Sequence, residues 1–286
     1  MQGLVYQSRP ELRSPVLIAA FEGWNDAADA ATGAVDYLRA SWNGAVFASI
    51  EPEEFFDFQV VRPRVRLTES GIREVTWPKT EFVHAEVAGA GRDAVLLHGI
   101  EPSMRWPTFC TLVLDIVNTF RVEMVVTLGA LLAGRPHTRP TRVTGTASTP
   151  QIAQRYGLAT PRYEGPIGIT GVLMDAARRA DIPSVGLWAW VPHYVQGSPS
   201  PKASLGLVQR LGSLLDFRLD LTDLERRTRA YEERINEAVA SDPDIAATVR
   251  ELERQADAED LEEIPSGDEL AAEVERFLRE QPRGDR

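Results

Sequence analysis

Short apolar runs that lack two-residue alternation recur along the first two-thirds of the chain, at residues 16–21, 45–50, 94–98, 124–128 and 185–191. Runs of this length, rich in β-branched residues, suit strands covered on both faces. Between them, apolar residues fall at helical spacing over 25–40, 107–120, 150–156, 168–180 and 201–217. The alternation predicts an α/β fold of three αβα layers around a mostly parallel sheet. Residues 53–87 break the rhythm. Phe55, Phe56 and Phe58, then Val61, Val65 and Leu67, then Ile72, Val75 and Trp77 are punctuated by Pro63, Gly71 and Pro78. That reads as extended hairpin material, an antiparallel insertion or edge. No internal repeat of fixed period is present.

The last quarter follows another pattern. Thr222 and Glu225 have the spacing of a capping box, in which hydroxyl and carboxylate satisfy free N–H groups at a helix start. Leu224, Thr228, Tyr231, Ile235 and Ala238 continue as one stripe. Asp242 and Pro243 stop that helix and open a second, with Ile245, Val249 and Leu252 on its apolar face. Residues 256–265 read as an acidic linker. A third helix is expected from Ser266, carrying Leu270, Val274, Phe277 and Leu278. With one stripe each, these helices must pack on the core, on each other or on another chain.

Charge sharpens the boundary. From Leu221 onward there are 20 acidic and 10 basic residues, so of the formal net charge of −11 the tail carries −10 and the preceding 220 residues −1. The expected organisation is therefore a core domain over 1–220 and an acidic helical extension over 221–286. A net negative chain is a poor general ligand for nucleic acid, whose phosphates need a basic face. Arginines from Arg62 to Arg66 form a local basic stretch, read first as a solvated strand edge. All basic residues but Lys79 and Lys202 are arginine, a bias of GC-rich genomes more than of any chemistry. No run approaches the ~18 apolar residues of a membrane span, and the start lacks the basic and apolar segments of a secretion signal. A cytoplasmic protein without a membrane or nucleic-acid partner is expected. The single cysteine, Cys110, lies in an apolar helical stretch and reads as a small buried hydrophobe.

In a parallel sheet, polar residues just after each strand share one rim, where ligands of open α/β folds bind. Glu22, Asn25 and Asp26 follow the first strand, His98 and Glu101 the third, Arg135 and His137 the fourth, and His193 the fifth. Glu22, Asn25, Asp26, His98, Glu101 and His193 form a candidate ligand cleft suited to a nucleoside or another small polar molecule. The same residues also read as a helix cap, a turn and locally bonded histidines, and no nucleophile–base–orienter set is recognisable from spacing. Gly165, Gly168 and Gly171 lead into a helix whose free N–H groups suit an anion, or whose small residues allow close helix–sheet packing. The GxGxxA match at 89–94 precedes a strand instead of following one, which removes it as a dinucleotide fingerprint. There is no phosphate loop, no nucleophile elbow and no His pair at zinc spacing. Neither a cofactor nor a metal is expected.

Five of these stretches carry a resemblance. They are Phe21-Glu22-Gly23-Trp24-Asn25-Asp26-Ala27, Gly99-Ile100-Glu101-Pro102, Thr127-Leu128-Gly129-Ala130, Gly165-Pro166-Ile167-Gly168-Ile169, and residues 187–194 from Leu187 to Tyr194. In this order, over roughly residues 15 to 216, they resemble the proteasome assembly chaperone family, second-subunit type. The arginine-rich composition and acidic extension look like its actinobacterial branch. The resemblance implies a nucleoside-phosphorylase-like αβα fold without an established active site, and self-association, with trimers plausible. It implies proteasome subunits as partners. Some relatives dock a C-terminal hydrophobic–Tyr–any tripeptide; residues 281–286, Gln-Pro-Arg-Gly-Asp-Arg, carry none, so contact through the tail or the core surface is expected instead. The leading expectation is a protein-binding or assembly factor. The alternative is a small-molecule enzyme or sensor at the strand-end cleft.

Overall fold

The first strand-forming run, Val16–Glu22, is buried along nearly its whole length, and its alternate residues feed two different cores. Val16, Ile18 and Ala20 face one, Leu17, Ala19 and Phe21 the other. This is why the run shows no alternation of apolar with polar: both faces are covered. The structure, a computed structural model, describes residues 3–262 apart from Ala88, Arg162, Gln196 and Ser198.

In chain order the elements are β1 (Leu4–Tyr6), β2 (Val16–Glu22), a 3-10 turn (Ala27–Asp29), α1 (Ala30–Ser41), β3 (Ala45–Ile50), β4 (Arg64–Leu67), β5 (Arg73–Thr76), β6 (Thr80–Val87), β7 (Arg92–Ile100), α2 (Trp106–Thr119), β8 (Met124–Ala133), β9 (Val143–Ala147), α3 (Pro150–Tyr156), α4 (Ile169–Arg179), β10 (Ser184–Pro192), α5 (Pro201–Leu215), α6 (Thr222–Ala240) and α7 (Pro243–Glu262). Eight strands form one sheet in the order β1-β3-β6-β7-β2-β8-β10-β9. The four in the middle, β7, β2, β8 and β10, run parallel, while the flanks pair antiparallel. Helices α1 and α5 contribute to one core and α2 and α4 to the other, which gives the three αβα layers. Among the described residues no helix is long and apolar enough to cross a membrane.

Four of the five unalternating apolar runs form the parallel centre, while the fifth, 45–50, is β3 and pairs antiparallel with both neighbours; antiparallel strands lengthen the sheet on both sides. The insertion is a case in point. Its last strand, β6, is not an edge; it lies between β3 and β7. Strands β4 and β5 pair only with each other. The helix expected from residue 25 begins at Ala30, because Ala28 and Asp29 both adopt positive φ. Cys110 is buried on α2, and burial pushes its thiol up to about 12.

The tail helices pack on the core. In α6, Leu224, Thr228, Tyr231 and Ile235 are buried, and Ala238 is exposed. Its start departs from the capping box: the carboxylate of Asp220 accepts from the Thr222 N–H (3.0 Å) and hydroxyl (2.6 Å). Asp242 caps α7 by accepting from the Asp244 and Ile245 N–H groups at 3.0 and 3.2 Å. The linker expected at 256–265 is corrected over 256–262, residues 263–265 lying outside the described residues. Helix α7 runs on through Glu262 because Ala256 is buried and acidic side chains of this stretch meet arginines of the core. Arg139 holds the Asp257 carboxylate with two nitrogens at 2.7 and 2.8 Å and reaches Glu253, while Arg135 and Arg142 meet Glu259. The hydrogen bonds from Arg139 hold the Asp257 carboxyl below its usual range. The third helix expected from Ser266 lies outside the described residues.

Half-exposed ion pairs of this kind are screened by salt, whose Debye length falls to ~3 Å at 1 M. Arg139→Ala is expected to raise amide hydrogen exchange several-fold across 243–259 while exchange in β2 and β8 stays unchanged. High salt should do the same to the native chain, and hydrogen exchange read by mass spectrometry measures both.

Candidate functional site

The carboxyl ends of β2, β7, β8 and β10 lie at one end of the sheet because these four strands are parallel. At this rim, Gly23 turns the chain out of β2 with φ of +123°, a conformation that favours glycine. The backbone carbonyl of Glu22 accepts from the Glu101 N–H (2.9 Å), and that of Asn25 accepts from the Ala130 N–H (2.8 Å). The crossover residues are thus stitched to both neighbouring strands.

Side chains complete a closed junction. The Asn25 amide donates to Glu101 Oε1 (2.7 Å), and the same oxygen accepts from the Ile169 N–H at the start of α4 (2.8 Å). The Thr170 hydroxyl donates to Asn25 Oδ1 at 3.1 Å. Asn25, Ile169 and Thr170 are all buried. The N-terminus of α4 therefore already holds an anion, the chain's own Glu101, where partial positive charge and free N–H groups favour one. Gly168 is required here because a Cβ would collide with the Asn25 amide. Asp26 is likewise consumed. Its carboxylate accepts from the Ala31 N–H (2.6 Å), the Thr32 N–H and the Thr32 hydroxyl at the start of α1. Burial raises its pKa against the lowering effect of those bonds.

The other candidates are placed differently. His98 is mostly buried, with Asp36 Oδ1 at 3.4 Å from Nδ1 and Glu22 Oε1 at 3.9 Å from Nε2. Glu22 itself is half-exposed. His193 lies beyond β10, exposed, with its ring nitrogen 3.1 Å from the Ala133 carbonyl. Structure thus brings Asn25, Asp26 and Glu101 with the Gly168 loop into one joint, sets Glu22 and His98 beside it on neighbouring strands, and leaves His193 two strands from Glu22. Gly165 lies next to Tyr163, and Gly171 N–H bonds to the Gly168 carbonyl. Among the described residues no group of three or more His, Cys, Asp or Glu is arranged to hold a metal ion.

Two features of this end were not legible from local spacing. The first is His137. Its Nδ1 lies 2.7 Å from the Tyr194 hydroxyl and its Nε2 2.9 Å from Asn236 Oδ1 on α6. An oxygen acceptor at Nε2 selects the neutral tautomer protonated there. The partners stand 57 and 99 residues away, so no motif could announce them. Burial is the main cause that lowers its pKa. The second is a set of exposed apolar side chains flanking the joint: Trp24 next to Asn25, Met104 just beyond Glu101, Leu132 at the end of β8 and Ile167 next to Gly168. They are 68, 43, 55 and 50% exposed. The rim thus exposes these apolar side chains while bonding Asn25, Asp26 and Glu101 within the fold; Glu22 and His193 stay exposed beside them.

A three-layer α/β protein whose strand-end rim is internally bonded and apolar on the outside is the class defined by this geometry. The sequence model of the PAC2 family matches residues 20–239, and the chain belongs to that family. A PAC2 family protein from Streptomyces avermitilis is 47% identical over 82% of this chain and 99% of its own, with a TM-score of 0.77. A Mycobacterium tuberculosis proteasome-assembly chaperone homologue is 46% identical over the same shares, with a TM-score of 0.75. An archaeal proteasome activator from Pyrococcus furiosus, 17% identical over 83% of this chain and 99% of its own, shares the fold alone, at a TM-score of 0.67. No curated protein matches the chain in sequence.

Two expectations follow. Glu101→Ala leaves the buried Ile169 N–H and Asn25 amide without an acceptor, a loss of about 1–3 kcal/mol in urea unfolding; Glu101→Gln, which keeps a carbonyl oxygen, should cost less. His137 has a folded pKa below its unfolded value, so the unfolded chain binds more protons under about pH 6.5. Stability should therefore fall as pH drops through that window and stay level above it. In His137→Gln the slope of unfolding free energy against pH should shrink.

Proposed function

We propose that the chain is a protein-binding assembly factor, specifically a proteasome-related chaperone that works as a cytoplasmic homo-oligomer, a trimer being the size implied by the resemblance. The observation that carries this reading is the inside-out rim. Trp24, Met104, Leu132 and Ile167 are exposed, while Asp26 and Glu101 accept from the backbone of α1 and α4 and Asn25 bonds the Glu101 and Thr170 side chains. Exposed large apolar side chains gathered at one place mark interaction surfaces, and aromatic and methionine side chains are enriched in them. Family membership and the Mycobacterium tuberculosis relative supply the kind of partner, proteasome subunits.

The nucleoside-type alternative requires free polar groups converging on a cleft. It retains Glu22 and His98 on separate strands, His193 beyond a third, and the Gly165–Gly168–Gly171 loop, whose helix start is occupied by Glu101. The protein-binding reading accounts for more of the rim.

Purified proteasome α- and β-subunits mixed with the full chain provide the test. Co-elution of subunits with the native chain is expected, together with its loss in Trp24→Asp and Leu132→Asp, two exposed positions where the fold should tolerate change. Absence of any complex with the native chain, or complexes indifferent to both substitutions, would sink the reading.

A further inference from the structure

The segment that leaves β3 is held in one shape by its own bonds. The Pro52 carbonyl accepts from the Phe55 and Phe56 N–H groups at 3.0 and 3.1 Å, and the Asp57 carbonyl from those of Val60 and Val61 at 3.0 and 2.8 Å. Phe55 and Phe56 are buried and anchor the segment to the core. Across from it, Trp77 and Pro78 lead into β6, which pairs with β3 so that Ile50 stands opposite Thr80 and Ser49 opposite Glu81. Between the two segments lies a groove of about 490 Å³, lined from β3 by Ser49 and Ile50. That volume is in the range of small-molecule sites, and the wall around it is already fixed.

The lining combines an aromatic pair with an excess of negative charge. Phe58 and Trp77 meet edge-to-face at 4.9 Å, and Trp77 remains 48% exposed. Glu51, Glu53 and Glu81 line the groove against a single basic residue, Lys79. Glu81 is already compensated, by Arg39 at 3.3 Å and Lys79 at 3.7 Å. Glu51 and Glu53 enter no salt bridge among the described residues, whereas the neighbouring Glu54 pairs with Arg105. Two uncompensated carboxylates thus share one concavity with a half-exposed indole and the rings of Pro52 and Pro78.

We propose that this groove is a binding site for a small organic cation, an ammonium or guanidinium head on a short apolar stem. The head lies between the Trp77 ring and the carboxylates of Glu51 and Glu53, and the stem lies along Phe58 and the prolines. Carboxylates alone attract any cation; the ring is what selects. The face of an indole attracts a cation through its quadrupole, and a guanidinium sheds its weakly held water to meet it. A hard metal ion instead demands a shell of oxygen ligands, and among the described residues no group of three or more such side chains is arranged for one. Anionic ligands are repelled by the two carboxylates. The site does not involve the apolar side chains of the rim and stands apart from the protein-binding reading.

Titration calorimetry on the full chain tests it, with agmatine as the cationic probe and glutarate as the anionic control. Agmatine is expected to bind saturably, one molecule per chain, and glutarate to give no binding heat. Glu53→Gln and Trp77→Ala should each weaken agmatine binding roughly tenfold, and Trp77→Phe, which keeps a ring, should weaken it less. Glu54→Gln removes an acid outside the groove and should leave the affinity unchanged. In heteronuclear NMR the indole N–H signal missing from Trp77→Phe should be the one of six that moves on adding agmatine. Circular dichroism reports any misfolding of Trp77→Ala, and the isosteric Glu53→Gln keeps the test independent of it. Absence of saturable binding at millimolar agmatine overturns the proposal. An equal loss in Glu54→Gln also overturns it, by reducing the effect to the general pull of a chain with net charge −11. An arginine-bearing peptide that binds where agmatine does not assigns the groove to a protein partner and overturns it as well.

Discussion

The carboxylate of Glu101 sits at the N-terminus of α4 and accepts from the Asn25 amide, and most of the rim's geometry depends on that one placement. Three crossovers meet at this point: the turn leaving β2, the turn leaving β7 and the glycine-rich approach to α4. Each has buried polar groups that would be costly to leave unbonded. One shared oxygen satisfies two of them, while the Asn25 carbonyl reaches Ala130 on the third strand. Withdrawing a carboxylate from water is normally expensive; here the Ile169 N–H and the Asn25 amide compensate for the half-buried Glu101, as the start of α1 does for Asp26. The two acidic groups that look most like chemistry on paper are therefore the ones that fix the backbone.

The same reasoning explains the charge asymmetry. The extension carries nearly all the net negative charge, and the core, close to neutral overall, concentrates Arg135, Arg139 and Arg142 where α7 passes. Arg135 and Arg142 also lie near the Trp190 ring, at 5.9 and 5.2 Å. Leu252 and Val249 are buried beside these pairs, so burial supplies the affinity and the charges supply the register. The His137–Asn236 bond extends that clasp to α6.

How much was legible depended on whether the information was local. The parallel centre was, because strands covered on both faces must be apolar throughout, as 16–21 and 185–191 are. Strand β9, Val-Thr-Gly-Thr-Ala, was not, since an edge strand covered by little else carries no apolar run. The start of α1 was misplaced because no periodicity reports the positive φ of Ala28 and Asp29. At the rim, residue types after each strand announced Asn25, Asp26 and Glu101, but their roles did not follow. That Glu101 points into α4 is a contact across 68 residues, and that Gly168 makes room for Asn25 one across 143; both are facts of packing.

What remains on the outside is then informative by subtraction. Strand β3 ends beside the start of β6, and β6 starts beside the end of β7, so the groove at Glu51 to Phe58 opens at the same end of the sheet as Trp24 and Leu132. The chain also ties these regions directly, with Ser103 and Met104 N–H groups donating to the Phe55 carbonyl. Apolar side chains thus accumulate at one end, where α7 also meets Arg135, Arg139 and Arg142. At these strand ends Asn25, Asp26 and Glu101 are bonded within the fold, and Trp24, Met104, Leu132 and Ile167 are the large apolar side chains left exposed around them.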